Sequence, residues 1–244
     1  MSATEAAVEV SPEELMTINA ARELRDGQVC LVGVGPPNAA ANLARRLQAP
    51  GCVLVYESGA IGAQPARLPL SIGDDDLAAT SLELVSVVEM FNFWIGGGRI
   101  DVGFLGAAQI DAHANLNTTA IGPYERPKVR LPGAGGAPEI AACAKSVIVI
   151  VRHSPRTFVE QLDFVTSLAH KQGQTVVITD LGVLRPAADG ELELVAVHPG
   201  VEADQVQEAT GWELRLASEV AQTPPVTQHE LESLRELRAS AGRR

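Results

Sequence analysis

The sequence predicts an α/β protein with a single open, largely parallel sheet covered by helices. Three observations carry that expectation. Short, largely apolar runs, such as 52–56, 147–151 and 175–179, alternate with segments of helical character. Strands apolar on both faces belong to sheets buried on both sides, which are mostly parallel. The chain has 244 residues, 46% hydrophobic and 20% charged, so it can build a sizeable core. No internal repeat, low-complexity tract or linker interrupts the pattern, so one domain over 11–240 is expected, with frayed tails at 1–10 and 241–244.

The elements follow in order. Ser11-Pro12-Glu13-Glu14 opens a helix, with Ser as cap, Pro at the first position and Glu at the third. It is expected to reach Arg25, with Gly27 ending it. Residues 28–34 read as a buried strand, and Gly33-Val34-Gly35-Pro36-Pro37-Asn38 as a tight loop into a helix over 38–48. Residues 52–56 form the next strand, and Glu57-Ser58-Gly59 stands just past its C-terminal end. A helix within 84–95 is stopped by Gly96-Gly97-Gly98. Further strands are expected over 100–105, 129–131, 147–151, 175–179 and 192–197. Gly135-Gly136 precedes a short helix over 138–143. Late helices lie at 202–210 and 228–238, the second amphipathic through Leu231, Leu234 and Leu237.

Composition removes several function classes. The formal net charge is -11, which disfavours nucleic acid and anionic membrane surfaces, since both need a basic face. Cys30, Cys52 and Cys143 lack Cys-x-x-Cys spacing and read as small buried apolar residues in a reducing compartment. The first ten residues have no basic region followed by an apolar run, and no stretch approaches the roughly 18–20 apolar residues of a membrane span. A cytoplasmic location is expected. His113, His153, His170, His198 and His229 show no ligand spacing, and Asp74-Asp75-Asp76 reads as a solvated turn, so no metal site is expected.

Several motifs admit a chemical reading beside a plain one. Gly33-Val34-Gly35 follows a strand and opens a helix, as in a dinucleotide fingerprint. However, Asn38 stands where the third glycine belongs, and Pro36 and Pro37 lack the N–H groups a pyrophosphate needs. The loop is better read as a rigid wall. Glu57 occupies the strand-end position where α/β proteins bind ligands, and a carboxylate there is a nucleophile, a general base or a solvated turn residue. Ser58 lacks the glycines of a nucleophile elbow, because Tyr56 and Ala60 flank it. Gly133, Gly135 and Gly136 either offer amides to an oxyanion or make a plain tight connection. Gln109 and Asn117, within a run of small and amide residues, either line a cleft or cap their own backbone. Arg126, Lys128 and Arg130 either clamp an anion or form a solvated strand face.

Together these segments resemble the B subunits of family I CoA-transferases. Gly33-Val34-Gly35-Pro36-Pro37, Tyr56-Glu57-Ser58-Gly59-Ala60-Ile61-Gly62, Phe104-Leu105-Gly106-Ala107-Ala108-Gln109-Ile110-Asp111, Asn115-Leu116-Asn117-Thr118-Thr119 and Leu131-Pro132-Gly133-Ala134-Gly135-Gly136-Ala137 occur in the family's order. The resemblance runs from about Glu14 to Arg238. It implies Glu57 as covalent nucleophile, with the amides around Gly133, Gly135 and Gly136 stabilising the oxyanion. Gly33 and Gly35 would wall the pocket, and Gln109 and Asn117 would meet coenzyme A. It further implies no permanently bound cofactor, coenzyme A entering as acyl-CoA substrate, a dicarboxylic acid acceptor, and an A subunit as obligatory partner. The expected reaction moves CoA from succinyl-CoA to 3-oxoadipate. Glutaconate or another short dicarboxylate is the alternative acceptor, and a non-catalytic or hydrolase-type subunit of the same fold the other alternative. Residues 167–174 are short where related B subunits carry a longer glycine-rich loop.

Overall fold

Ser11 opens α1 (Pro12–Arg22) as a capping box: its hydroxyl accepts from the Glu14 N–H, and the Glu14 carboxylate accepts from the Ser11 N–H. The computed structural model describes residues 9–169 and 174–240. Most of the expected tails, and the 170–173 part of the short 167–174 segment, lie outside the described residues. The first helix ends at Arg22, short of Arg25, because Leu24 turns inward and is buried.

β1 (Val29–Leu31) leads through Gly33-Val34-Gly35 into α2 (Pro36–Arg46). This helix begins two residues before the expected Asn38. Both prolines sit in its first turn, where a missing N–H costs nothing and the fixed φ favours the helix. Gly35 caps it at φ 79°, backbone that residues with a Cβ rarely adopt. β2 (Val53–Val55) turns back into β3 (Ala60–Ile61), then α3 (Asp75–Thr80), β4 (Glu83–Leu84) and the single-turn α4 (Val87–Glu89). A π-helical segment, Met90–Ile95, continues from α4. β5 (Val102–Leu105) follows. Two small hairpin sheets come next, β6 (Gln109–Ile110) with β7 (Leu116–Asn117), and β8 (Ala120–Ile121) with β9 (Val129–Arg130). The chain then forms α5 (Ala137–Cys143), β10 (Ser146–Ile150), β11 (Gln174–Ile178), β12 (Gly182–Pro186), β13 (Leu192–Val197), α6 (Ala203–Glu208), β14 (Arg215–Gln222) and α7 (Gln228–Ser240).

Among the described residues, ten strands make one sheet in the order β14-β13-β12-β11-β10-β5-β1-β2-β3-β4. Its centre, β11-β10-β5-β1-β2, is parallel throughout. Antiparallel pairs extend it on both sides, and β14 joins β13 in parallel. Burial explains the centre: all four residues of β5 and the middle of β10 are shielded on both faces. One face packs on α1, α2 and α7, with Leu231, Leu234 and Leu237 buried as the amphipathic pattern predicts. The other packs on the π-helical segment and α5. A Cβ on Gly103 of β5 would overlap the Ile140 side chain, so glycine there lets α5 lie directly on the sheet. That contact fixes the glycine turn that precedes α5.

Candidate active site

The parallel strands β1, β2, β5 and β10 all point their C-terminal ends toward one cavity of about 630 Å³. Its walls come mainly from four stretches: Leu31 to Val34 with Pro36 and Pro37, Glu57, Phe104 to Ala108, and Leu131 to Ala137. Sequence separation is large, but the strand-end rule for α/β sheets brings these together. Gly33 lines the cavity, and Gly35 stands between the lining residues Val34 and Pro36. Glu57 is the one titratable side chain among the described lining residues.

A tight turn aims Glu57. The Gly59 N–H donates to the Tyr56 carbonyl at 2.9 Å, and the Tyr56 N–H donates to the Ala60 carbonyl at 3.0 Å. Gly59 has φ 103°, and a Cβ there would overlap the Val85 carbonyl. The Val85 N–H in turn donates to the Gly59 carbonyl at 3.0 Å. Below the turn the Tyr56 ring is wholly buried, and its hydroxyl accepts from the Asn38 amide at 3.2 Å. Burial pushes that phenol up to about 12, so it stays neutral. The turn therefore rests on a fixed base.

Glu57 is half-buried, and its carboxyl is raised above the usual range. Desolvation raises it most, the Gly136 N–H bond to the carboxylate pulls it back, and the Glu139 charge at the start of α5 raises it further. Gly136 approaches so closely that a Cβ on it would lie 2.5 Å from Glu57 Oε1. The expectation that the amides of Gly133, Gly135 and Gly136 all meet an oxyanion needs correction, because the Gly133 N–H is already engaged. The Gly133 N–H donates to the Thr118 carbonyl at 2.9 Å, and the Thr118 hydroxyl donates to the Gly133 carbonyl at 2.8 Å. The Gly136 N–H serves Glu57. Gly133 and Gly135 have φ 100° and 51°, with open space where a Cβ would stand.

A second expectation needs correction: Gln109 and Asn117 do not line this cavity. They face each other across β6 and β7, where the Asn117 amide donates to Gln109 Oε1 and to the Ala120 carbonyl, both at 2.7 Å. The Gln109 amide donates to Asp163 at 2.8 Å. Both side chains are buried and committed to the hairpin. Arg126, Lys128 and Arg130 also stand outside. Arg126 belongs to a turn, and the Arg130 guanidinium lies over the Tyr124 ring, 4.8 Å from its centre. Thr118, from the run of small and amide residues read as a candidate cleft lining, does line the cavity and stitches the glycine turn to the small sheets. One contributor was not foreseen. Phe91 meets Gly136 beside Glu57, with its Cζ 2.9 Å from where a Gly136 Cβ would stand.

The coenzyme A transferase family model matches residues 14–209. The chain belongs to the coenzyme A transferase family. Within that family it is 52% identical to the B subunit of 3-oxoadipate CoA-transferase from Pseudomonas knackmussii, over 94% of each chain. The crystal structure of glutaconate coenzyme A-transferase from Acidaminococcus fermentans superposes with a TM-score of 0.87 at 30% identity, covering 93% of this chain and 94% of that one. The decarboxylase AibA/AibB superposes at 0.85 with 25% identity, covering 96% and 97%. The shared fold accounts for the central sheet and the helices that cover it. Among the described residues of this family member, no helix is long and apolar enough to cross a membrane.

Proposed function

We propose that this chain is the B subunit of a CoA-transferase that moves CoA from succinyl-CoA to 3-oxoadipate, a step in aromatic degradation, with Glu57 as covalent nucleophile. One observation carries the reading: the cavity's single titratable side chain is a half-buried carboxylate touching a glycine turn at the strand ends. A Glu57 oxygen attacks the thioester carbonyl of succinyl-CoA. The C–S electron pair leaves with CoA thiolate, and a mixed anhydride remains. The thiolate then attacks the glutamyl carbonyl and expels succinate, which leaves a glutamyl-CoA thioester. The acceptor carboxylate reverses both steps. No proton is gained or lost over the cycle, and the kinetics are ping-pong. The Gly135 N–H meets the developing oxyanion, while Gly33 and Gly35 wall the pocket. Coenzyme A passes through as substrate, and no cofactor stays bound.

The names of the relatives support an A subunit as partner. Transfer to glutaconate is the second reading, favoured by the TM-score of 0.87 with the glutaconate enzyme. The test is co-expression with the neighbouring A-subunit reading frame and incubation with succinyl-CoA alone. Intact mass spectrometry is expected to find a CoA thioester on this chain, mapped by digestion to Glu57 and missing in Glu57→Gln. No adduct with succinyl-CoA, acetyl-CoA or glutaryl-CoA would overturn the mechanism. Turnover with 3-oxoadipate against glutaconate then decides the acceptor.

A further inference from the structure

We propose that Phe91 is a positioning residue for this reaction: its ring edge closes the outer side of Glu57 against water and holds the carboxylate on the glycine turn. The inference rests on the reading of Glu57 as nucleophile.

Three observations converge on it. First, a Cβ on Gly136 would meet Glu57 Oε1 at 2.5 Å, Phe91 Cζ at 2.9 Å and Phe91 Cε1 at 3.0 Å. Carboxylate and ring edge therefore crowd the same spot on the same side of the glycine. Second, Phe91 is not among the cavity's walls, and it is half-buried against the core on the α5 side of the sheet. The ring therefore approaches Glu57 from outside the cavity walls. Third, the segment that carries it is pinned at both ends. Val85, bonded to Gly59 in the Glu57 turn, leads directly into α4 and the π-helical segment. At the far end the Gly96 N–H donates to the Phe91 carbonyl at 2.8 Å, the five-residue bond of a π-turn. A Cβ on Gly97 would overlap the Phe93 carbonyl. The wider turn buries Met90 and Ile95, five residues apart, and leaves Phe93 61% exposed. Phe91, next to the buried Met90, is turned toward Glu57 by that register.

The chemistry needs such a cover. Water adding to the glutamyl-CoA carbonyl would expel CoA, regenerate the Glu57 carboxylate and release a proton. Each such event wastes an acyl-CoA, so a dry outer wall favours transfer over hydrolysis. The charged and polar groups facing Glu57 are few. Ser58 lies in its own turn, and α5 contributes the Glu139 carboxylate and, at its start, the Gly136 N–H.

The test uses the A/B complex carrying Phe91→Ala or Phe91→Tyr. CoA release without acceptor is compared with transfer, and Glu57 is titrated by carbon NMR, its signal assigned through Glu57→Gln. In Phe91→Ala the hydrolysis-to-transfer ratio is expected to rise roughly tenfold, because water gains access. Phe91→Tyr keeps the ring and puts a hydroxyl at Cζ, where it donates to the carboxylate, so the Glu57 midpoint moves down. An unmoved Glu57 midpoint in Phe91→Tyr, or a folded Phe91→Ala complex with the wild-type ratio, would overturn the inference. The titration does not depend on turnover. A wild-type complex that forms no adduct removes the transfer mechanism, while the midpoint still decides whether Phe91 governs Glu57.

Discussion

A Cβ on Gly136 would stand 2.5 Å from Glu57 Oε1 and 2.9 Å from the Phe91 ring. The backbone there has φ -89°, which alanine accepts, so Gly136→Ala strains no backbone and presses instead on the Glu57 carboxylate and the Phe91 ring edge. The carboxylate must shift from its present place against the Gly136 backbone. Displacing a reacting atom by about 1 Å costs on the order of a hundredfold in rate, and kcat for Gly136→Ala is expected to fall by about that much. Steady-state kinetics beside a thermal melt check this. A wild-type kcat would show that the Glu57–Gly136 approach is not used, and a collapsed melt would show that the glycine serves folding. The place of Glu57 at a strand end was legible because it follows an apolar strand directly and precedes Ser-Gly in a turn, but position alone left a solvated turn residue open, and only the resemblance singled it out as nucleophile. Gln109 and Asn117 were not separable from cleft residues, because an amide that caps a hairpin and one that meets a ligand look alike in sequence. Phe91 was hidden because its contact with Gly136 spans 45 positions and depends on a turn wider than an α-helix.

The same limit operates between elements. The central strands were readable because they are apolar on both faces. β14 was not, because its residues are mostly half-buried or exposed at the end of the sheet. A helix over 84–95 was expected from its apolar residues. The structure divides it into the short α4 and a π-helical segment, since Gly96 and Gly97 permit the close carbonyl approach that this turn requires. The docking of α7 on α1 was half legible. Its leucines predicted a buried face, but not the ion pairs beside it. Arg235 bonds Glu14 at 2.7 Å, Arg22 bonds Glu230 at 2.7 Å, and Arg238 bonds Glu13 at 2.8 Å. The hydrogen bond from Arg235 outweighs burial and holds the Glu14 carboxyl down to about 2. For Glu230, burial opposes ionisation, but bonds from Arg22 and Thr227 overcome it and also leave the group at about 2. Both values lie below the ordinary 4.5 of a free glutamate. The stabilisation is therefore complete above that value and is lost as pH falls toward about 2. The melting temperature is expected to drop more between about pH 5 and about pH 3 in the wild type than in a Glu14→Gln/Glu230→Gln double variant, which has neither carboxylate to protonate there. Equal drops would mean that these pairs do not hold α7.

For the whole molecule, charge is the open question. The formal net charge is -11, and the described cavity walls carry one carboxylate and no cation. Under the proposed function, an acyl-CoA brings phosphates and a dicarboxylic acid a second carboxylate, so both would approach against this chain's own field. Arg126, Lys128 and Arg130 were the sequence's best source of positive charge. The structure puts them on an exposed turn and hairpin instead, with Arg130 spent on Tyr124. Under the proposed function, the compensating charge is expected from the companion subunit. Two results are expected. Replacing all three basic residues by Ala leaves the apparent KM for 3-oxoadipate within about twofold, since none of the three is among the cavity's lining residues and exposed charges are screened by salt. The isolated chain forms no CoA adduct, and adding the A subunit restores it. A KM that rises tenfold or more in the triple variant would return the acid clamp to this chain (about 1.4 kcal/mol of lost binding). An adduct on the chain alone would show that these walls hold acyl-CoA unaided, and the cations would have to be sought among the residues flanking Glu57 rather than in the partner.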